Sequence, residues 1–370
     1  MVRYDLWHHA GMHLLINTGG GDAPGLNAVI RAVTLSAIRR GFRVTGVLRG
    51  YSGLLEPDGT IELDRDLVRG ITDRGGTLLG TVNRGQPFEY PVRGPNGETT
   101  LTDVSDKVLA RYRELGADGL IAVGGDGSLR IAARFQDKGM HVITVPKTID
   151  NDLGSTDTSF GFDSAMSFAT DAIGRLHSTA EAHSRVMVVE LMGRYAGWLA
   201  LHAGLAGAAH VILLPEIDFD IEVVCQAIRH RFDTDRPFAI VVVAEGAKPK
   251  GGDRIVARQE VGKEVTLGGV GAQVAEAIAE RTGLETRSLV LGHLQRGGAP
   301  TPNDRVLALR YGAEAVRLAA AGQWGRTVSW RPPRMTSMPL AEALGLEHRV
   351  TLDDDALLTA RDFGICLGDV

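Results

Sequence analysis

The chain has 370 residues, of which 44% are hydrophobic and 23% are charged, a balance typical of a soluble globular protein. The formal net charge of -5 at pH 7 does not favour nucleic acid or a membrane surface as the main partner. No apolar run approaches the roughly 18 residues that a helix needs to span a bilayer. At this length we expect two or three domains.

The cysteines and the N-terminus bear on the cellular compartment. Cys225 and Cys366 show neither a metal-binding nor a redox spacing, and residues 1–11 contain no apolar core of a signal peptide. We therefore expect a cytoplasmic protein with reduced thiols. Met12 begins the first predicted strand, so a start at Met12 and an extended N-terminus from Met1 both agree with the sequence.

Short apolar strands alternate with helices along most of the chain. The predicted strands are 12–17, 43–48, 119–123, 142–145, 186–191, 210–214, 238–244 and 288–291. The predicted helices are 26–40, 128–136, 164–182, 197–208, 221–231 and 270–282. Residues 91–100 are polar and rich in turn formers, which predicts a surface loop. Continuous Val, Ile and Leu strands between helices indicate an α/β fold with parallel sheets covered on both faces.

Two Gly-rich turns join a predicted strand to a predicted helix, the first at 18–25 and the second at 124–128. Glycines let the backbone approach a phosphate, and a helix N-terminus offers free N–H groups and the positive end of a dipole. In the second turn Asp126 offers a hard oxygen for Mg²⁺, although an Asp at this position also suits a helix N-cap. Turns of this second kind are typical of kinases that use ATP.

A third polar segment follows the strand predicted at 142–145. Residues 146–152 contain Lys147, Thr148, Asp150 and Asp152, so two carboxylates, a hydroxyl and an ammonium group occur close together. Phosphoryl transfer needs a base near the attacking hydroxyl, a metal ion and positive charge on the moving phosphate. A polar turn with Asx-type hydrogen bonds is the structural alternative, and Asn151 suits it well.

These three segments are followed, in order, by further motifs. They are Arg185, residues 190–197, Pro215 with Glu216, Glu245, residues 285–287 and residues 292–298. In this order, from about Leu14 to Arg305, the sequence resembles the phosphofructokinase family. The resemblance implies a glycolytic kinase that transfers the γ-phosphate of ATP to the 1-hydroxyl of fructose 6-phosphate with the help of Mg²⁺. It also implies two lobes, each a mostly parallel sheet between helices, with the active site in the cleft between them.

The resemblance further implies where each lobe lies in the chain. The larger lobe, which binds ATP and Mg²⁺, comprises residues 12–161 and 295–345. The smaller lobe, which binds the sugar phosphate, comprises residues 162–294 and 346–370.

Residue roles are also implied by the resemblance. Asp150 is the general base for the sugar hydroxyl, and Asp126 holds Mg²⁺. The other residues implied in catalysis are Gly21, Thr148, Asp152 and Arg194. The residues implied in ATP binding are Gly20, Gly21, Tyr51, Arg84, Gly125, Asp126, Gly127 and Ser128. The residues implied in sugar phosphate binding are Thr148, Asp150, Asp152, Arg185, Met192, Gly193, Arg194, Glu245, Arg287, His293 and Arg296.

Several of these roles have a structural alternative. Tyr51 aligns with a position that stacks on adenine in the family, and it is equally suited to the core. Each Arg is also suited to a surface salt bridge, and His293 to an ordinary strand end. In the family, two phosphate-binding arginines come from the neighbouring subunit, and Arg185 and Arg287 fit those positions. We therefore expect at least a dimer, with a tetramer favoured.

The phosphoryl donor is indicated by two positions that disagree. Gly127 is typical of family members that use ATP, whereas Lys147 is typical of those that use pyrophosphate. We favour ATP, because Gly127 has no side chain to block its α-phosphate. The alternatives are pyrophosphate as donor, sedoheptulose 7-phosphate as acceptor, an inactive regulatory subunit, and a nucleotide or lipid kinase that shares only the second turn. Asp126 and Asp150 argue against an inactive subunit, and residues 287–298 argue against another kind of kinase.

Overall fold

The structure is a computed structural model that describes residues 11–82, 86–93, 98–233, 237–258 and 266–370. Its helices are α1 (Leu26–Ile38), α2 (Ser105–Glu114), α3 (Asp126–Asp137), α4 (Phe162–Ala182), α5 (Trp198–Ala206), α6 (Ile221–Phe232), α7 (Val270–Thr282), α8 (Pro302–Ala320), α9 (Leu340–Ala343) and α10 (Asp355–Asp362). Two short 3₁₀ helices span Ser52–Leu55 and Gly292–Arg296.

The strands are β1 (His13–Thr18), β2 (Arg43–Val47), β3 (Thr60–Glu62), β4 (Tyr90–Arg93), β5 (Thr99–Thr102), β6 (Gly119–Gly124), β7 (Val142–Thr148), β8 (Phe160–Gly161), β9 (Val186–Leu191), β10 (Val211–Leu213), β11 (Ala239–Ala244), β12 (Val256–Arg258), β13 (Thr266–Leu267), β14 (Thr286–Val290), β15 (Arg326–Arg331) and β16 (Arg334–Pro339). Among the described residues, no helix is long and apolar enough to cross a membrane.

The chain forms two compact units. Unit 1 comprises Met1–Thr148, Leu153–Gly161 and Gly298–Leu346, and unit 2 comprises Ile149–Asp152, Phe162–Gly297 and Glu347–Val370. The short segment Ile149–Asp152 therefore belongs to unit 2, although the predicted boundaries include it in the larger lobe.

Unit 1 contains a sheet with the strand order β16-β15-β7-β6-β1-β2-β3. The central strands are parallel, and the two edge strands, β3 and β16, are antiparallel to their neighbours. Successive side chains of a strand point to opposite faces of its sheet. Leu14 and Ile16 accordingly pack in one core with residues of α1 and α8, whereas Leu15 packs in another with residues of α2 and α3. The parallel strands are thus covered on both faces, as predicted.

Unit 2 contains a wholly parallel sheet with the order β10-β11-β9-β14. All six residues of β11 are buried, and Val241 and Val243 share a core with α6 and α7. Strand β14 lies at the sheet edge and is largely exposed. The expectation of an α/β fold is therefore confirmed in each unit.

Some elements differ from the prediction. Within residues 91–100, predicted as a loop, the ends of β4 and β5 pair as an antiparallel hairpin, because Val92 and the run of β-branched residues from Thr99 favour extended backbone. Strand β7 continues past its predicted end at 145 to Thr148, since β8 pairs with Lys147 and Thr148 and prolongs the ladder. Lys147 and Thr148 consequently lie on a strand and not in a turn.

Candidate active site

Three adjacent strands of unit 1 carry the predicted donor residues at their carboxyl ends. Strand β6 lies between β1 and β7, with Thr18 opposite Val123 and Gly124 opposite Pro146. Parallel strands end at the same edge of a sheet, where ligands of α/β proteins bind. The two Gly-rich turns and the end of β7 therefore lie side by side.

The turn between β1 and α1 is held from two directions. Gly20 has a φ of 73°, which favours glycine. The Thr81 hydroxyl donates a hydrogen bond of 2.5 Å to the Gly20 carbonyl, and the Lys147 ammonium group donates one to the Gly21 carbonyl. The side chain of Lys147 is only 3% exposed. These bonds fix the backbone of the turn before any ligand binds.

The turn between β6 and α3 is shaped by Ser128. A Cβ atom added to Gly124 would lie 2.2 Å from the Ser128 hydroxyl oxygen and 2.3 Å from its Cβ atom, so this position requires glycine. A Cβ atom added to Gly19 would lie 2.8 Å from the same hydroxyl oxygen, which would have to rotate away. A Cβ atom added to Gly127 would meet nothing within 4 Å. The turn is therefore tightly packed where it begins, at Gly124, and has open space at Gly127.

Asp126 is the first residue of α3, and the N-cap position belongs to Gly125, which makes no side-chain cap. The alternative interpretation of Asp126 as an N-cap is thus wrong. Its carboxylate is about half exposed and forms an ion pair of 2.8 Å with Arg130, one turn along the helix. A carboxylate at a helix N-terminus, open to solvent, is suited to hold a cation.

Tyr51, a further residue predicted to bind ATP, does not join this group. The Tyr51 ring is buried in the core and stacks on Phe135, with ring centroids 4.9 Å apart. This favours the core interpretation of Tyr51 over stacking on adenine. Arg84 lies outside the described residues.

In unit 2, the loops after β9 and β11 pack closely together. Leu191 pairs with Ala244, and the Glu245 N–H donates a hydrogen bond of 2.8 Å to the Leu191 carbonyl. Gly193 has a φ of 135°, and a Cβ atom on Gly246 would lie 2.0 Å from the Arg194 carbonyl oxygen. The close backbone packing thus brings the loop that begins with Met192 against Glu245.

Charged side chains of unit 2 converge on Glu245. The pKa of its carboxyl is raised to about 7, first by burial and then by the charge of Asp150. The charges of Arg194 and Arg296 lower the pKa of Glu245. Arg296 and the exposed His293 lie on the 3₁₀ helix that follows β14. The structure therefore brings together Asp150, Arg194, Glu245 and Arg296, four of the predicted acceptor residues.

Arg185 and Arg287 lie at the opposite end of the same sheet. Arg185 directly precedes β9, whereas Met192 follows it, and seven residues at ~3.3 Å each separate the two by about 23 Å. Both arginines bind the carboxylate of Glu285, at 2.9 Å and 2.7 Å. Arg287 pairs with Met187, five residues or about 17 Å before Met192. Both arginines thus lie far along the sheet from the loop that carries Arg194.

Three contributions to this region were not predicted from the sequence. Glu190, noted only as part of a motif, is buried, and its carboxylate accepts hydrogen bonds from the N–H groups of Gly269 and Gly271 at the start of α7. His348 bonds the Asn151 carbonyl within the segment Ile149–Asp152, and the Trp198 indole N–H bonds the carbonyl of His348. The polar residue types alone gave no signal for these contacts, because they join positions far apart in the chain.

The fold and the site define an α/β protein with two Gly-rich turns at strand ends of one mostly parallel sheet and a cluster of charged side chains in the unit that contains the second sheet. The family model described as phosphofructokinase matches residues 13–319. A protein of Chloroflexus aggregans, named ATP-dependent 6-phosphofructokinase, is 49% identical over 354 residues, which are 95% of this chain and 96% of that protein. The chain belongs to the phosphofructokinase family.

Two other relatives agree with this assignment. A protein of Synechocystis sp., named ATP-dependent 6-phosphofructokinase 1, is 46% identical over 96% of this chain and 98% of its own length. A solved phosphofructokinase from Saccharomyces cerevisiae superposes with a TM-score of 0.77 and 29% identity, over 90% of this chain and 45% of that longer chain. The present chain thus spans less than half of the yeast chain and nearly all of the bacterial relatives.

Proposed function

We propose that this protein transfers the γ-phosphate of ATP to the 1-hydroxyl of fructose 6-phosphate and so forms fructose 1,6-bisphosphate in glycolysis. The observation that carries the proposal is the cluster of Asp150, Glu245, Arg194 and Arg296 in unit 2. A carboxylate can take the hydroxyl proton, and guanidinium groups bind phosphate. The names of relatives that are 46% and 49% identical support the same reaction.

The donor is bound by the Gly-rich turns of unit 1. Gly20, Gly21 and Gly125 let the backbone approach the phosphates of ATP, Ser128 fixes the second turn, and the open space at Gly127 admits the α-phosphate. Arg84 is retained as a candidate contact to the phosphates. The absence of a side chain at Gly127 is our reason to favour ATP over pyrophosphate.

Mg²⁺ fits the residues that are present. Among the described residues, no group of three or more His, Cys, Asp or Glu side chains could hold a metal ion alone. Mg²⁺ at kinase sites is bound by one or two carboxylates together with substrate phosphates and water, and Asp126 offers one such carboxylate. Bound there, Mg²⁺ would neutralise charge on the phosphates.

The acceptor is bound by the residues that the resemblance assigns to the sugar phosphate. Asp150 takes the proton from the sugar 1-hydroxyl, while Thr148 and Asp152 orient the hydroxyl and the transferred group. Met192, Gly193, Arg194 and Glu245 line the sugar, and His293 and Arg296 hold its 6-phosphate. Fixing the far end of the sugar by its phosphate directs the 1-hydroxyl for in-line attack. Cys225 is buried in the core and takes no part in a covalent intermediate.

The complete site is formed in an oligomer. Arg185 lies about 23 Å and Arg287 about 17 Å along the sheet from the loop that carries Arg194, which suits binding to the 6-phosphate of a neighbouring subunit. We therefore include self-association to a dimer or tetramer in the proposed function.

A donor exchange tests the proposal directly. The purified protein is assayed with Mg²⁺ and fructose 6-phosphate, with either ATP or pyrophosphate, and fructose 1,6-bisphosphate is measured. We expect product with ATP only, and a loss of about 10²- to 10⁴-fold in kcat for Asp150→Ser. Product with pyrophosphate only would show that Lys147 and not Gly127 sets the donor. A kcat/KM for sedoheptulose 7-phosphate higher than that for fructose 6-phosphate would show that sedoheptulose 7-phosphate is the preferred acceptor.

A further inference from the structure

His348 forms two hydrogen bonds to the segment that carries Asp150. Its backbone N–H donates to the Asp152 carbonyl at 2.9 Å. Its ring Nδ1 lies 2.8 Å from the Asn151 carbonyl oxygen, so Nδ1 carries the proton and donates it. Two successive carbonyl groups of this segment are thus bound by one residue that lies almost 200 positions further along the chain.

The segment needs such support because of its backbone conformation. Asn151 is buried and has a φ of 53°, in the left-handed region that a residue with a side chain adopts at a cost of roughly 1–2 kcal/mol. A buried carbonyl group also requires a hydrogen-bond donor. Bonds at Asn151 and Asp152 fix the peptide groups on either side of this conformation.

His348 is itself held firmly. Its ring stacks on the buried ring of Trp198, with centroids 4.5 Å apart, and the Trp198 indole N–H donates to the His348 carbonyl at 2.9 Å. Two residues later, the Val350 N–H donates to the Glu216 carboxylate at 3.0 Å. The same carboxylate oxygen accepts the Gly197 N–H at 2.9 Å.

These contacts connect two parts of the proposed acceptor site. Gly197 and Trp198 begin α5, which directly follows the loop that carries Arg194. Residues 348–350, which we call the C-terminal strap, are therefore bonded both to the start of α5 and to the segment of Asp150. No residue of the strap needs to contact a substrate for this purpose.

We propose that His348 is a positioning residue, which orients the carboxylates of Asp150 and Asp152 through its bonds to the backbone between them. This inference rests on the proposed function for its kinetic consequence. Its structural content, that the ring N–H of His348 fixes the backbone at Asn151, does not depend on the reaction.

The test compares two substitutions of His348. Phe keeps a ring that can stack on Trp198 but has no N–H, whereas Asn keeps an N–H donor near the position of Nδ1. We expect His348→Phe to lower kcat by about 10- to 100-fold, since small displacements of catalytic groups cost that much, and to leave KM for ATP within about threefold. We expect His348→Asn to recover most of the lost kcat.

His141 supplies a matched control. Its ring also stacks on a tryptophan, Trp324, at 5.2 Å, and its Nδ1 also bonds a backbone carbonyl, that of Asp118, at 3.0 Å. It lies at the amino end of β7, away from the carboxyl edge of the sheet. His141→Phe is expected to keep the full kcat.

Hydrogen exchange of peptides that cover residues 149–157 gives a second readout that needs no activity. We expect faster exchange there in His348→Phe than in the unaltered protein, and no change in His141→Phe. Unchanged exchange would overturn the proposal even if the protein phosphorylates another substrate. Equal losses of kcat in the Phe and Asn variants would also overturn it, because the donor would then be irrelevant. If the unaltered protein is inactive with fructose 6-phosphate but exchange responds as expected, the proposed function fails and the positioning role stands.

Discussion

The ammonium group of Lys147 donates a hydrogen bond to the backbone carbonyl of Gly21, and this bond joins the end of β7 to the turn after β1. In the sequence, Lys147 leaves the choice between ATP and pyrophosphate as phosphoryl donor open. In the structure, its buried side chain stabilises the first Gly-rich turn. A cation in this position supports the turn and does not by itself select ATP or pyrophosphate.

Lys147→Met keeps most of the side-chain volume and removes the ammonium group that donates the hydrogen bond to Gly21. Loss of the partner of a partly buried carbonyl costs about 1 kcal/mol, so we expect KM for ATP to rise up to about tenfold, without a change to pyrophosphate as phosphoryl donor. Steady-state kinetics with both donors measures this. Lys107→Met, an exposed position on α2, is the control. An unchanged KM for ATP would mean that the turn holds its shape without Lys147.

Gly127→Asp tests the steric argument for ATP. The open space around Gly127 accommodates an added side chain, so we expect the variant to fold with an unchanged melting temperature. Its carboxylate should repel the α-phosphate and abolish activity with ATP. Gly127→Ala separates size from charge and is expected to keep most of the activity. Full ATP kinetics in the Asp variant would contradict the argument.

Mixed oligomers test whether Arg287 serves the neighbouring subunit. Arg287→Ala and Arg296→Ala are each expected to raise KM for fructose 6-phosphate at least tenfold, because each removes a charged contact to phosphate. A mixed dimer of the two variants contains one intact site if Arg287 acts on the neighbour, and its activity should recover to as much as half.

A second mixture provides the control for this experiment. Arg194→Ala and Arg296→Ala alter residues proposed to serve the subunit that carries them. Every site in that mixture lacks one arginine, so no recovery is expected. Equal results for the two mixtures, or full activity of a protein that remains monomeric by sedimentation, would refute the shared site.

Glu245→Gln should separate stability from activity. Because the folded protein raises the pKa of this carboxyl to about 7, it favours the protonated form, and stability falls as the pH rises from about 4.5 to about 7. Gln does not ionise, so we expect the variant to be more stable at pH 8 by about 1–3 kcal/mol and less active. Unfolding in urea at pH 5 and pH 8 measures the difference. Glu347→Gln, at an exposed side chain, should change neither stability nor its pH dependence.

His210 should make the fold sensitive to acid. Burial lowers the pKa of its ring to about 3, with Arg231 and His177 adding to the effect, and its Nδ1 accepts the Ile240 N–H at 2.9 Å. The neutral ring is therefore favoured in the folded protein, and stability is lost as the pH falls below about 6.5. Between pH 7 and pH 5 we expect a loss of about 1 kcal/mol, since partial exposure of the ring reduces the effect.

Asn at position 210 retains an acceptor and does not titrate. His210→Asn should therefore lose less stability between pH 7 and pH 5 than the unaltered protein does. His230→Asn, an exposed position on α6, should behave like the unaltered protein. Parallel curves for all three proteins would show that His210 does not titrate in this range.

The sequence predicts the buried elements well and the long-range contacts poorly. Strand β9 and helix α7 have the predicted bounds, because apolar runs between clear turn residues leave little choice. The antiparallel strands β15 and β16 were not predicted, since their polar residues, such as Arg326 and Ser337, hide the alternation and bond each other across the pair.

The same distinction holds for the candidate site. Gly-rich turns depend on neighbouring residues and can be identified locally, as at Gly124. The burial of Tyr51 depends on Phe135, which the chain brings to it from 84 positions away. The part played by His348 depends in the same way on a segment almost 200 residues earlier.

The shared carboxylate of Glu285 has a consequence for how the protein responds to salt. Arg185 and Arg287 already carry an internal counterion, and their guanidinium groups hold the pKa of Glu285 below its usual range. A sugar phosphate that binds these arginines must displace the Glu285 carboxylate and take its place with its own phosphate group. Binding is then an exchange of ion pairs, so its affinity should fall less steeply with ionic strength than that of an arginine pair without a resident carboxylate.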